Sequence, residues 1–154
     1  LRGEGEGISF YSTLSTPREQ IDGRDAAGRS KNPNYLLEVD NSLVVPVGKK
    51  VRVLVTAQDV IHAWYVPALS VKQDAIPGVI NEAWTSVKEP GTYRGVCAEL
   101  CGKDHGFMPI VVKVVPKAEY SQWLAQQKAA SQPAAPTVIA ASARLKAGQN
   151  RRQT

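Results

Sequence analysis

The chain has 154 residues and a net charge of +5, with 43% hydrophobic and 21% charged residues, enough length and apolar content for one domain with a real core. No run of about twenty apolar residues occurs, so no stretch reads as a bilayer-spanning helix or as the apolar part of a signal peptide. The basicity sits at one end: residues 129–154 carry Arg144, Lys146, Arg151 and Arg152 and no acid, which leaves 15 basic against 14 acidic residues elsewhere. With no basic face interleaved with aromatics, a nucleic-acid partner is disfavoured and the excess reads as a solvated tail.

Residues 1–34 are polar and rich in Gly, Ser, Arg and Asp. They read as an irregular arm with one short strand near Ile8–Tyr11 and turns around Gly23 and Gly28. Glu4 and Glu6 are an acidic pair placed either near a docking surface or simply in solvent. Leu1 is not a start methionine, and the chain is read as a processed or excised piece. From Tyr35 the pattern becomes strand-like, and the expected domain runs from there to residue 128. Tyr35–Val39 is β-prone, and Val44–Val47, broken by Pro46, reads as an edge segment before a turn at Gly48. Val51–Val55 alternates as a half-buried strand should. An apolar piece, 61–69, follows with His62 at its start, and Pro77-Gly78 marks a turn. Strands are expected at 83–87, 92–97 and 110–115. Short strands at this spacing suggest an all-β, antiparallel Greek-key sandwich or barrel. After Pro116, residues Tyr120, Trp123, Leu124 and Gln127 recur at helical spacing, which predicts a short C-terminal helix with Tyr120 and Trp123 as core anchors. Residues 129–154 read as a flexible tail.

The chemistry is concentrated in Cys97-Ala-Glu-Leu-Cys101-Gly-Lys-Asp-His105-Gly-Phe-Met108. Of the two cysteines, two histidines and one methionine in the chain, only His62 lies elsewhere. Thiolate, imidazole and thioether are donors suited to copper, in contrast to the oxygen donors that suit calcium or magnesium. Cys101, His105, Met108 and a distant His62 make a one-copper set. Cys97 adds a second thiolate, and two thiolates can bridge two coppers. His62 and Met108 then complete one metal, and His105 with a loop carbonyl, best placed at Glu99, completes the other. Such a site transfers single electrons. Three other readings compete. The cysteines can pair as a disulfide, the Cys and His residues can hold zinc, and His62 alone can be a packed core histidine. Trp64 is either a packing residue beneath the site or a shield over it.

The segments Asp59-Val-Ile-His62-Ala-Trp64-Tyr-Val-Pro67, Lys72-Gln-Asp74-Ala-Ile-Pro77-Gly78, Pro90-Gly91-Thr-Tyr93-Arg-Gly-Val-Cys97 and Met108-Pro-Ile-Val-Val resemble subunit II of cytochrome c oxidase in its copper A domain, over residues 35–128. The resemblance implies a cupredoxin-like fold and a dinuclear copper centre. It makes His62, Cys97, Cys101, His105 and Met108 side-chain ligands, with the Glu99 carbonyl as the sixth donor. It also implies that the Glu99 carboxylate helps hold magnesium at the contact with subunit I. Trp64 and Asp74 are further candidates for places around the donors without binding metal. Electrons would come from cytochrome c and pass to haem in subunit I, at the periplasmic face of a bacterial inner membrane. Membrane helices and an aromatic electron-entry segment belong to such a subunit, and no residue of this chain is assigned to either. The copper domain of nitrous oxide reductase resembles the loop too, but usually has an aromatic residue where this chain has Glu99. A free periplasmic copper carrier and a copper-free interaction domain are the remaining alternatives. No C-x-x-C-H occurs, so no covalently attached haem is expected.

Overall fold

The computed structural model describes residues 7–131. Two short helices, α1 (Arg18–Ile21) and α2 (Ala26–Lys31), precede seven strands: β1 (Leu43–Pro46), β2 (Lys50–Val55), β3 (His62–Val66), β4 (Val71–Ala75), β5 (Asn81–Ser86), β6 (Gly91–Cys97) and β7 (Pro109–Val115). A final helix, α3 (Lys117–Ser131), follows. The strands form a five-stranded sheet in the order β1-β7-β6-β3-β4 and a two-stranded sheet, β2-β5. This is the mostly-β, two-sheet, Greek-key architecture expected, with the single C-terminal helix.

One pairing departs from the antiparallel expectation. β1 runs parallel to β7, with Val45 opposite Val114. The first and last strands of the domain thereby meet at one edge of the larger sheet, and Val44 and Val45 are buried there. Pro46 ends this edge strand, where a missing amide costs the ladder nothing. The core gathers Val45, Val66, Leu69, Val71, Val112 and Val114. On β7 only Lys113 is exposed, because this strand lies between β1 and β6 and is covered on both faces.

Strand propensity alone misreads two places. Tyr35–Val39 is not a strand. The Asn32 side chain accepts from the Asn34 amide at 3.0 Å, Leu36 sits in the left-handed region at φ +59, and only Val39 pairs, in a one-residue bridge to Leu14. Asn-Pro-Asn turn chemistry outweighs the apolar side chains that follow. Conversely, Val71–Ala75 is a strand that its weak β-formers Lys, Gln and Asp concealed. Its burial alternates, and pairing with β3 supplies what propensity lacks.

The arm is more regular than its composition suggests. Gly23 makes the expected turn at φ +83, but Gly28 lies inside α2, whose Asp25 cap accepts from the Gly28 amide at 2.8 Å. No strand forms at 8–11; the arm instead lies along residues 36–41. The Asp40 carboxylate receives the Thr13 amide at 2.7 Å and the Thr13 hydroxyl at 2.8 Å. Arg94 of β6 pairs with Glu38. Phe10 meets Trp123 edge-on at 6.1 Å, so α3 anchors through the predicted face, with Tyr120 and Trp123 half-buried. Glu4, Glu6 and the tail from residue 132 lie outside the described residues. Among the described residues no helix is long and apolar enough to cross a membrane.

Candidate metal centre

β3 and β6 are antiparallel neighbours, with Trp64 opposite Cys97. The end of β6 and the start of β3 therefore share one edge of the domain, which brings Cys97 beside His62. The ladder runs one step further through the Ala98 amide, which donates to the Ala63 carbonyl at 3.0 Å. The loop that carries the other candidate donors leaves β6 at Cys97 and re-enters β7 at Pro109. Its two ends are tied by the Cys97 amide donating to the Met108 carbonyl at 3.1 Å. Between them, Gly102 at φ +120 turns the chain where a side chain would be strained. A single helical turn, His105–Phe107, then aims His105 inward.

All six anticipated donors converge. The Sγ atoms of Cys97 and Cys101 are 3.8 Å apart, and both thiols are free. Cys97 Sγ lies 3.9 Å from His62 Nδ1 and 3.4 Å from the Glu99 carbonyl oxygen. Cys101 Sγ lies 3.5 Å from His105 Nδ1 and 3.5 Å from Met108 Sδ. The donor atoms of His62, Cys97 and Cys101 fall within 4.8 Å of one another. Cys97 is buried at 7% exposure, whereas Met108 is 39% exposed, so the centre is closed from within and open at its rim. Soft sulfur and imidazole donors gathered around the sulfur pair fit copper.

The sulfurs are inequivalent. Burial raises the Cys97 thiol, but hydrogen bonds at Glu99 and Ala63 and the two imidazoles outweigh it and bring it down to about 7. Burial and the neighbouring Cys97 push Cys101 up. Two thiolates this close would repel unless a cation lay between them, so a bound cation would favour loss of the second proton.

Trp64 is half-buried and lines a cleft of about 310 Å³ beside the centre, with Thr13 and Leu14 of the arm, His62, Cys97 and Met108. Asp74 is exposed on β4, in register with Ala63. The carboxylate on the His62 imidazole is a residue sequence reasoning passed over: Asp59 Oδ1 accepts from His62 Nε2 at 2.8 Å. This bond raises the imidazole pKa against the pull of burial and holds the Asp59 carboxyl below its usual range. The only signal in the sequence was an acid three residues ahead of the histidine. The Glu99 carboxylate is exposed on the loop.

Fold and site together define a two-sheet β domain that presents a soft-donor metal centre at one end. The family model described as "Cytochrome C oxidase subunit II, periplasmic domain" matches residues 7–115, and the chain belongs to that family. It is similar to the solved periplasmic domain of subunit II of cytochrome oxidase (CoxB) of Bradyrhizobium japonicum, with 42% identity and a TM-score of 0.68 over 80% of this chain and 79% of that one. It is also similar to that subunit in a mixed-disulfide intermediate with a thioredoxin-like protein, at 41% identity and a TM-score of 0.62, covering 80% of this chain and 77% of that one. The probable cytochrome c oxidase subunit 2 of Rickettsia conorii is 53% identical over 97 residues, 62% of this chain and 31% of that protein. That of Rickettsia prowazekii is 54% identical over 90 residues, 58% and 29% respectively. The chain thus spans about a third of the length of these curated relatives.

Proposed function

We propose that the chain is the electron-transfer module of a haem-copper terminal oxidase, working at the periplasmic face of a bacterial inner membrane. The observation that carries this is the pairing around the two sulfurs. Each thiol has one donor from each of two sets: Cys97 has His62 and the Glu99 carbonyl, and Cys101 has Met108 and His105. A sulfur that bridges two metals needs that arrangement. Cys97 and Cys101 would hold two copper ions in common, His62 and Met108 completing one and His105 and the Glu99 carbonyl the other. A bound copper pair supplies one-electron transfer with little change in bond lengths. The protein's share is to keep the donors fixed on the ends of paired strands, so that little of the scaffold rearranges when charge arrives.

Cytochrome c is the proposed donor and haem of subunit I the acceptor. The exposed Glu99 carboxylate is free to hold magnesium where subunit I docks. A thioredoxin-like protein would keep Cys97 and Cys101 reduced before metal enters, as the mixed disulfide of the related subunit suggests. Glu99 in place of an aromatic residue favours the oxidase over the nitrous oxide reductase module. Metal analysis of the purified chain is expected to give two coppers, with a spin-resonance spectrum of one electron spread over two copper nuclei. One copper, one zinc, or a spectrum sensing a single nucleus would defeat the assignment.

A further inference from the structure

The two ligand imidazoles turn Nδ1 toward the sulfurs, but their outer nitrogens are treated differently. His62 Nε2 meets Asp59 Oδ1 at 2.8 Å, whereas no described residue gives His105 Nε2 a hydrogen bond. A neutral imidazole has one protonated and one bare nitrogen, and an ionised carboxylate only accepts. Asp59 therefore requires the proton on Nε2 and leaves the Nδ1 lone pair facing the sulfurs. The loop bearing Asp59 is itself fastened: the Thr56 hydroxyl donates to the Ile76 carbonyl at 3.2 Å, and Ala57 bridges to Pro77. The acid is thus aimed by a tethered backbone.

We infer that Asp59 is a positioning residue of the metal centre, whose carboxylate locks the tautomer and ring plane in which His62 offers Nδ1 to copper. The effect on copper rests on the dinuclear reading, while the tautomer does not. The Asp59 side chain is 70% exposed, so water screens its charge and leaves the directional hydrogen bond as its main contribution. Asp59→Asn keeps an acceptor oxygen and removes the charge. Asp59→Ala removes both.

The test begins with nitrogen NMR of the metal-free 154-residue chain at alkaline pH, where the ring is neutral. His62 is expected to carry its proton on Nε2 in the wild type and in Asp59→Asn, and to populate both tautomers in Asp59→Ala. After copper loading, release to a chelator should be about tenfold or more faster in Asp59→Ala, with shifted sulfur-to-copper optical bands, and close to wild type in Asp59→Asn. A wild-type His62 protonated on Nδ1 would overturn the inference, and that measurement needs neither a folded variant nor copper. So would an Asp59→Ala protein with the wild-type tautomer and release rate, or an Asp59→Asn protein as impaired as the alanine variant. A wild-type chain that takes up no copper would sink the electron-transfer proposal and leave the tautomer result standing.

Discussion

Cys97 and Cys101 sit 3.8 Å apart at the junction of β6 and its loop, and neither substitutes for the other. Cys97 is the buried sulfur with the lower thiol pKa, about 7, and the one beside His62 and the Glu99 carbonyl. On the dinuclear reading proposed above, replacing it by serine leaves a hard oxygen where a soft bridging sulfur is needed. We expect Cys97→Ser to fall from two coppers per chain to at most one and to lose the two-nucleus spin-resonance pattern. Unchanged spectra would contradict a shared-sulfur centre. At this scale the sequence was highly legible, because the donor-bearing residue types occur almost nowhere else in the chain. Asp59 was not legible. Asp is common in loops, and only the fold shows which acid points at an imidazole. Asp74, nearer the eye as part of a Lys-Gln-Asp motif, lies exposed one strand away.

The elements explain why the donors meet. β3 and β6 approach so closely that a side chain on Gly95 would put its Cβ 2.0 Å from the Tyr65 carbonyl oxygen and 2.8 Å from Val66 Cγ2. Glycine here is a condition of the pairing that sets Trp64 opposite Cys97. Gly95→Ala should cost about 1–3 kcal/mol in denaturant unfolding, and should also lower copper content by displacing Cys97 from His62. A variant with wild-type midpoint and full copper would show that the two strands tolerate separation. Most strands could be read from alternation and turn residues. β4 could not, since its pattern is carried by Lys, Gln and Asp and its stability comes from its neighbour. Tyr35–Val39 misled in the opposite sense, because turn-forming asparagines upstream of apolar residues settle the backbone first. The parallel β1–β7 pair was also beyond reach, as register between distant strands leaves no local trace.

For the molecule as a whole, metal and fold are linked. The unfolded chain cannot gather His62 with residues 97–108, so copper binds the native state far more tightly. Free copper at a hundred times its dissociation constant adds about 2.7 kcal/mol to stability. For a chain of this size that raises Tm by roughly 5–11 °C. Calorimetry with and without copper checks this, and chelation should reverse it. A Tm indifferent to copper would mean that the centre is not built by folding.

The tie between Cys97 and Met108 also separates what the domain is from what it does. Four of the five side-chain donors, Cys97, Cys101, His105 and Met108, lie on an excursion that departs and returns across a single rung, so the chemistry is gathered into one short stretch for which the strands supply the footing. Such a scaffold behaves like a socket. Substitutions confined to residues 98–107 should therefore alter the metal chemistry while the strand pairing beneath stays in place.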